Sequence, residues 1–288
     1  ETGFGYYGGM PKLNLKNPEV EKFITDVACY WIKECDIDGW RMDVGDEISH
    51  YFWKNFRRAV KAVKKDMLII GEIWHYAGDF LEGDEWDTVM NYPFYLNLID
   101  LLADEKINVS QFIQNLGYLK GRLNKQCYPL MWNLIDSHDT ARFLHLCNDN
   151  KKKQHLAAAF QLLLPGMPMI YYGDEFAMPG ANDPDCRRGM YWDEEYQDKE
   201  MLEWYRQLLK VRKNHACIVE GEPIEIAARD EEETIVLTRK NGEETLALIF
   251  NCSSSARVFN EYAQKYDLLR ENPFDGKIEG LDAAVIVL

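Results

Sequence analysis

Arg41 and Asp43 stand two residues apart in the run GWRMDVGDE, Gly39 to Glu47, with Asp46 and Glu47 just beyond them. The apolar neighbours make this run a buried strand, and strand alternation puts Arg41 and Asp43 on one side of it. Buried charge is costly unless it is paired or used. The arginine would keep the aspartate ionised, and an ionised, oriented carboxylate is a nucleophile or a stabiliser of positive charge. Glu72 closes a second apolar run, MLIIGE, and is followed by Ile73 and Trp74. Apolar surroundings favour the neutral carboxyl, which suits a general acid. Asp139 closes a third run, NLIDSHD. One ionised and one protonated carboxyl together describe glycoside hydrolysis. Trp74, Tyr92 and Trp40 offer aromatic faces for sugar rings, although Trp40 could equally face the interior. Each acid alone also has a plain structural explanation: an ion pair for Asp43, helix caps for Glu72 and Asp139. Three such strand ends in one chain favour a site.

The elements around these acids follow from pattern. Asn17 can cap and Pro18 can begin a helix whose apolar residues recur at helical spacing through Cys35. A strand follows at DIDGWRMDV, then an amphipathic helix from Ser49 to Lys65, then a strand at MLIIGEIW. Further strands are expected at WDTVMNY, YPLMWNLID and GMPMIYYG, with helices to about Gly121, near 150–164 and over 199–214. Strand and helix alternate five times, with connections long enough for parallel crossovers, so the class is α/β with a parallel sheet wrapped by helices. From about Ile218 short strands with turn signals take over. Asn241-Gly242 between apolar runs marks a hairpin. The expected organisation is an α/β domain over 1–217 and a small antiparallel β-sandwich domain over 218–288.

The chain has 288 residues and a net charge of -15, which disfavours nucleic acid and anionic membrane as partners. No apolar run is long enough to span a bilayer. The seven cysteines include no CxxC pair and read as reduced, mostly buried thiols, which favours the cytoplasm. Asp36 and Asp38 in CDIDG read as a turn, and Cys186 as structural. His50, His145, His155 and His215 read as isolated surface or core residues, and Lys151 to Lys153 as a solvated helix start. Asp174 and Glu175 in GDE stand evenly between substrate binding and structure.

The runs GWRMDV, GEIWH and NLIDSHDT resemble the strand-4, strand-5 and strand-7 signatures of the α-amylase family, glycoside hydrolase family 13. MPKLN, Met10 to Asn14, resembles a signature of its neopullulanase and cyclomaltodextrinase branch, as do VMNYPF, PGMPMIYYGDE and DPDCRRGMYWD. The matches span nearly the whole chain in the family's order. The resemblance implies strands 4 to 8 of a (β/α)8 TIM barrel, which has eight, so the sequence looks like the carboxyl-terminal part of a longer enzyme. It implies Asp43 as nucleophile, Glu72 as acid/base and Asp139 as the third acid, with Arg41 orienting Asp43. His138, Trp74, His75, Tyr92 and Glu47 would bind substrate. Asp46 departs from the branch's Asn-Glu pair and bears on acceptor preference. The implied reaction is retaining cleavage of α-1,4-glucosidic bonds in cyclodextrins, pullulan, maltodextrins or starch, with no cofactor or metal required. A structural calcium site would have ligands upstream and is not visible in this sequence. Exposed sheet edges point to a homodimer or to weak activity in isolation. A non-catalytic α-glucan binder and a transglycosylase are the competing readings.

Overall fold

In the computed structural model, which describes residues 3–6 and 9–288, the chain forms two compact units. One comprises Glu1–Pro93 and Leu119–Trp132, the other Phe94–Tyr118 and Asn133–Leu288.

In the first unit, strands β1 (Gly39–Met42), β2 (Leu68–Gly71) and β3 (Thr88–Val89) pair in parallel in chain order. Helix α1 (Pro18–Cys35) precedes β1, and α2 (His50–Val63) makes the crossover from β1 to β2. The Asn17 side chain accepts the Glu19 N–H at 2.9 Å and Pro18 opens α1, as the sequence implied. α1 stops where Asp36 adopts φ 48°, and Asp36 and Asp38 both pair with Lys64, so CDIDG is a turn. α2 buries Phe52, Trp53, Phe56 and Val60 on one face, at helical spacing. Those rings enclose Trp86, whose centroid is 5.6 Å from that of Trp53 and 4.2 Å from that of Phe80. Trp86 presses on the carboxyl ends of β1 and β2. A Cβ on Gly45 or Gly71 would lie 2.6 or 2.2 Å from its ring, so only glycine fits there. Trp53 Nε1 donates to the Gly45 carbonyl at 2.9 Å and fixes the turn that follows Asp43.

The second unit contains most of β4 (Trp132–Leu134), which pairs with β5 (Met167–Met169). All five strands expected from the apolar runs are therefore present, though each is short. The helices in and around them are α3 (Tyr92–Leu98), α4 (Val109–Arg122), α5 (Phe143–Leu146), α6 (Lys151–Leu163), α7 (Lys199–Asn214) and α8 (Cys217–Glu220). Asn150 caps α6 by accepting the Lys152 N–H at 3.1 Å, so Lys151 to Lys153 are its first turn.

Eight strands follow: β6 (Glu222–Arg229), β7 (Thr234–Asn241), β8 (Glu244–Asn251), β9 (Arg257–Val258), β10 (Tyr266–Asp267), β11 (Asn272–Pro273), β12 (Lys277–Ile278) and β13 (Asp282–Val287). Six form an antiparallel sheet in the order β11-β10-β13-β8-β7-β6, and β9 pairs with β12. Gly242, at φ 61°, makes the tight turn between β7 and β8 that Asn241-Gly242 announced. Alternation along β7, β8 and β13 sorts their apolar residues onto two faces. Ile235, Leu237, Leu248, Phe250 and Val285 share a core with Leu156 and Phe160 of α6, where Phe160 and Phe250 stack at 4.2 Å. Val236, Ile249, Ala284 and Ile286 face Phe259, Phe274 and Ile278. No helix among the described residues is long and apolar enough to cross a membrane.

Candidate active site

β1 ends at Met42, which is buried, and Asp43 lies one residue beyond it. Asp43 is therefore not inside a buried strand: its side chain is 75% exposed, and that of Arg41 is 29% exposed. The strand is four residues long, so the alternating pattern runs out at the rim of the sheet before the acid is reached. Arg41 Nη1 donates to Asp43 Oδ1. Its Nη2 lies 3.1 Å from Glu72 Oε1, so one guanidinium joins both acids.

Glu72 follows β2 and is buried, with its side chain 5% exposed. Its surroundings are not the apolar ones inferred from Ile69, Ile70 and Ile73. Those side chains point into the core, whereas the carboxylate accepts the Val44 N–H at 2.8 Å and the Trp74 indole N–H at 3.1 Å. Two N–H donors and the charge of Arg41 thus converge on it. Val44 adopts φ 44°, a left-handed turn that aims its N–H at Glu72.

Trp74 is 40% exposed, and its ring stacks on Tyr92 at 4.2 Å with 11° between planes. Tyr92 is completely buried, so it supports the Trp74 face and does not itself line a surface. Trp40 is partly buried and packs against the apolar core, so it offers no platform either. His75 is exposed and its Nε2 lies 3.0 Å from Asp46 Oδ2. Glu47 is held by Lys12 at 2.6 Å and accepts the Gly5 N–H at 2.7 Å. The Lys12 ammonium keeps the Glu47 carboxyl below its usual range. Lys12 belongs to MPKLN, so this motif's visible task is to anchor the loop after β1; the sequence reading had not singled Lys12 out.

In the second unit, β4 leads into the loop that carries His138 and Asp139. Asp139 is 32% exposed; its Oδ2 lies 3.1 Å from His138 Nε2 and its Oδ1 3.3 Å from Arg187 Nη2. Arg187 Nε donates to the His138 carbonyl at 2.9 Å and lies 2.7 Å from Asp183 Oδ1. Cys186 is buried, and its thiol donates to the same carbonyl at 3.3 Å, a structural task. Arg187 was missed by sequence reasoning, although DPDCRRG was in view. Nothing local in that run says that its first arginine reaches forty-eight residues back. Asp174 is fully buried and paired with Arg142 at 3.1 Å, which decides its even standing for structure. No group of three or more His, Cys, Asp or Glu among the described residues could hold a metal ion.

The model of the α-amylase catalytic domain matches residues 4–197. The chain belongs to this family. It is 45% identical over 253 residues to a cyclomaltodextrinase of Geobacillus thermopakistaniensis, covering 88% of this chain and 43% of that protein. Among solved structures, a cyclomaltodextrinase superposes with a TM-score of 0.91 at 34% identity, over 99% of this chain and 51% of the other. The cyclic α-maltosyl-(1→6)-maltose hydrolase of Arthrobacter globiformis in complex with maltose superposes with a TM-score of 0.87 at 33% identity, over 100% and 64%. The chain thus spans less than half the length of the curated relative. The family assignment agrees with the one its motifs implied.

Proposed function

We propose that this chain carries the reacting carboxyls of a retaining α-glucan hydrolase of the cyclomaltodextrinase and neopullulanase type. The observation that carries the reading is the single guanidinium of Arg41 joining Asp43 and Glu72. Two carboxyls held by one arginine fork favour the close spacing of retaining enzymes, about 5–5.5 Å, over the wider spacing of inverting ones. Asp43, exposed and oriented, attacks the anomeric carbon while Glu72 protonates the leaving oxygen. Glu72, then ionised and surrounded by donors, takes a proton from the water that releases the glycosyl group. Asp139, positioned by His138 and Arg187, is assigned as the third acid that grips the sugar. Trp74 offers a stacking face, and His75 and Glu47 flank the loop after β1.

The substrate class is α-1,4-linked glucan, as cyclodextrin, pullulan, maltodextrin or starch, consistent with the maltose complex of one structural relative. The five strands β1–β5 are assigned as strands 4 to 8 of a (β/α)8 barrel, and β6–β13 as a small β-sandwich. Seven free cysteines fit a reducing compartment, hence the cytoplasm. The catalytic cycle itself consumes no cofactor. A homodimer would cover the open edge of β1.

Reducing-sugar release from β-cyclodextrin, pullulan and starch, with Asp43→Asn as control, tests the reading. Release that Asp43→Asn abolishes is the expected result, and release that survives it refutes Asp43 as nucleophile. A second reading has one observation in its favour: the chain spans 43% of a curated relative. On that reading the folded chain binds maltooligosaccharide without cleaving it, which calorimetry on the same preparation would reveal.

A further inference from the structure

A second group of one arginine and two acids lies within the second unit, and no step above uses it. Asp136, Arg142 and Asp174 are each fully buried. Asp136 is the last residue before the loop that carries His138 and Asp139, and Arg142 and Phe143 end that loop. Asp136 Oδ1 accepts the Phe143 N–H at 2.5 Å, so the carboxyl closes the loop across its two ends. The neighbouring Arg142 donates through Nη1 to Asp174 Oδ1 at 3.1 Å, and its backbone N–H donates to the Gly180 carbonyl at 2.9 Å. Asp174 is itself tied down, since its carbonyl accepts from Gln154 of α6 at 3.0 Å.

The charges do not balance if both acids are ionised. One guanidinium faces two carboxylates in a space without water-exposed atoms. The second oxygens, Asp136 Oδ2 and Asp174 Oδ2, are buried without a hydrogen-bond partner among the described residues, as are Nε and Nη2 of Arg142. Two carboxyls enclosed with one guanidinium cannot both be ionised without leaving an uncompensated buried charge, so one of them keeps a proton. The surrounding titratable groups do not relieve this. Cys186 raises Asp136 and Glu175 raises Asp174, Tyr171 and Tyr205 are phenols, and Arg142 is a cation that lowers both acids.

We propose that Asp136 and Asp174 share one proton, and that with Arg142 they form a charge-neutral latch that holds the His138–Asp139 loop in place. Asp136 is thereby a positioning residue for Asp139. Burial pushes both carboxyls up, most strongly through desolvation, and the carboxyl–carboxyl contact adds to this for Asp174. The link to Asp139 rests on the functional reading above; the shared proton does not.

The test uses this chain and needs no substrate. Infrared spectra of the wild type should retain a buried carboxylic-acid C=O signal at neutral pH. That signal should be lost in both Asp136→Asn and Asp174→Asn, where the amide N–H replaces the shared proton, and kept in Glu85→Gln, which alters the other buried acid raised by burial. Absence of the signal in the wild type, or its survival in both Asn variants, overturns the latch. For positioning, the His138 ring resonances report on its contact with Asp139. They should keep their wild-type positions in Asp136→Asn, because the amide oxygen still accepts from Phe143, and shift in Asp136→Ala. Where the Ala variant does not fold, the wild type serves: its His138 signals should move as the pair gives up its proton at high pH, and stay in place over the same range in Asp136→Asn. Unmoved signals overturn the positioning claim. Intact infrared and resonance results without sugar release would leave the latch standing and remove the α-glucan hydrolase reading.

Discussion

Each unit of this chain groups one arginine with two acids, and the two groups differ in almost everything except composition: Arg41 contacts both of its acids, whereas Arg142 bonds Asp174 and Asp136 bonds the Phe143 N–H. Arg41, Asp43 and Glu72 stand at strand ends, with Asp43 largely exposed and Glu72 fed by the Val44 and Trp74 N–H groups. Arg142, Asp136 and Asp174 are sealed, and one carboxyl oxygen of each acid has no hydrogen-bond partner among the described residues. In the open group, solvent and backbone donors supply what the second carboxylate needs, so both acids are available for chemistry. In the closed group the same stoichiometry leaves a deficit that a proton must fill. Burial and donor supply therefore separate the Arg–acid–acid set proposed to react from the one proposed to clasp.

The sharpest way to break the comparison is in the open group. Asp43→Asn should lower glucan cleavage roughly 10⁴-fold or more, as loss of a nucleophile does. It should change unfolding free energy by under about 1 kcal/mol, because the pair is exposed. A denaturant curve that moved as far as the activity would make Asp43 a structural residue after all. Glu72→Gln should follow, with kcat reduced by roughly 10²–10⁴-fold and its donors still engaged. In the closed group the effect belongs to stability. Arg142→Met should destabilise by about 3–5 kcal/mol in chemical unfolding, since it strips buried acids of their cation. A loss below about 1 kcal/mol, the range of an exposed pair, would show that the group is not sealed.

A subtler difference is in pH dependence. The raised carboxyls of the closed group keep a proton in the folded state that the unfolded chain releases above about 4. The unfolded state thus binds fewer protons, and their contribution is fully present below that pH and lost as pH rises through the folded value, about 7 for Asp136. Asp136→Asn should flatten this slope in melting temperatures taken from acid to neutral pH. The smallest effect is at Glu47, whose lowered carboxyl acts with the opposite sign. Its contribution is present above the unfolded value and fades as pH falls through the folded one. Lys12→Met should remove that acid-side dependence and little else, again read from melting temperatures.

Much of the frame was legible in the residues. The cap at Asn17, the five apolar strand runs and the hairpin at Asn241-Gly242 all depend on neighbours within a few positions, and they appear where those neighbours put them. The acids at the strand ends were legible for the same reason. Their environments were not. Asp43 read as buried because its neighbours are apolar, yet β1 stops one residue short of it. Glu72 read as sitting in an apolar pocket because flanking isoleucines say nothing about a backbone N–H from another strand's turn. Tyr92 read as a stacking face for sugar and is instead the buried support of Trp74.

By itself, the sequence determined the family, the order of helices and strands, and which acids end the strands, because periodicity, capping and motif are local and carried by adjacent residues. Only the tertiary structure decided which acids face water, which share an arginine and which are enclosed. Asp136 and Asp139 lie three residues apart in one motif, yet one is sealed against Asp174 and the other opens beside His138 and Arg187. Burial and charge pairing are set by residues dozens of positions away, and those contacts exist only once the chain has folded.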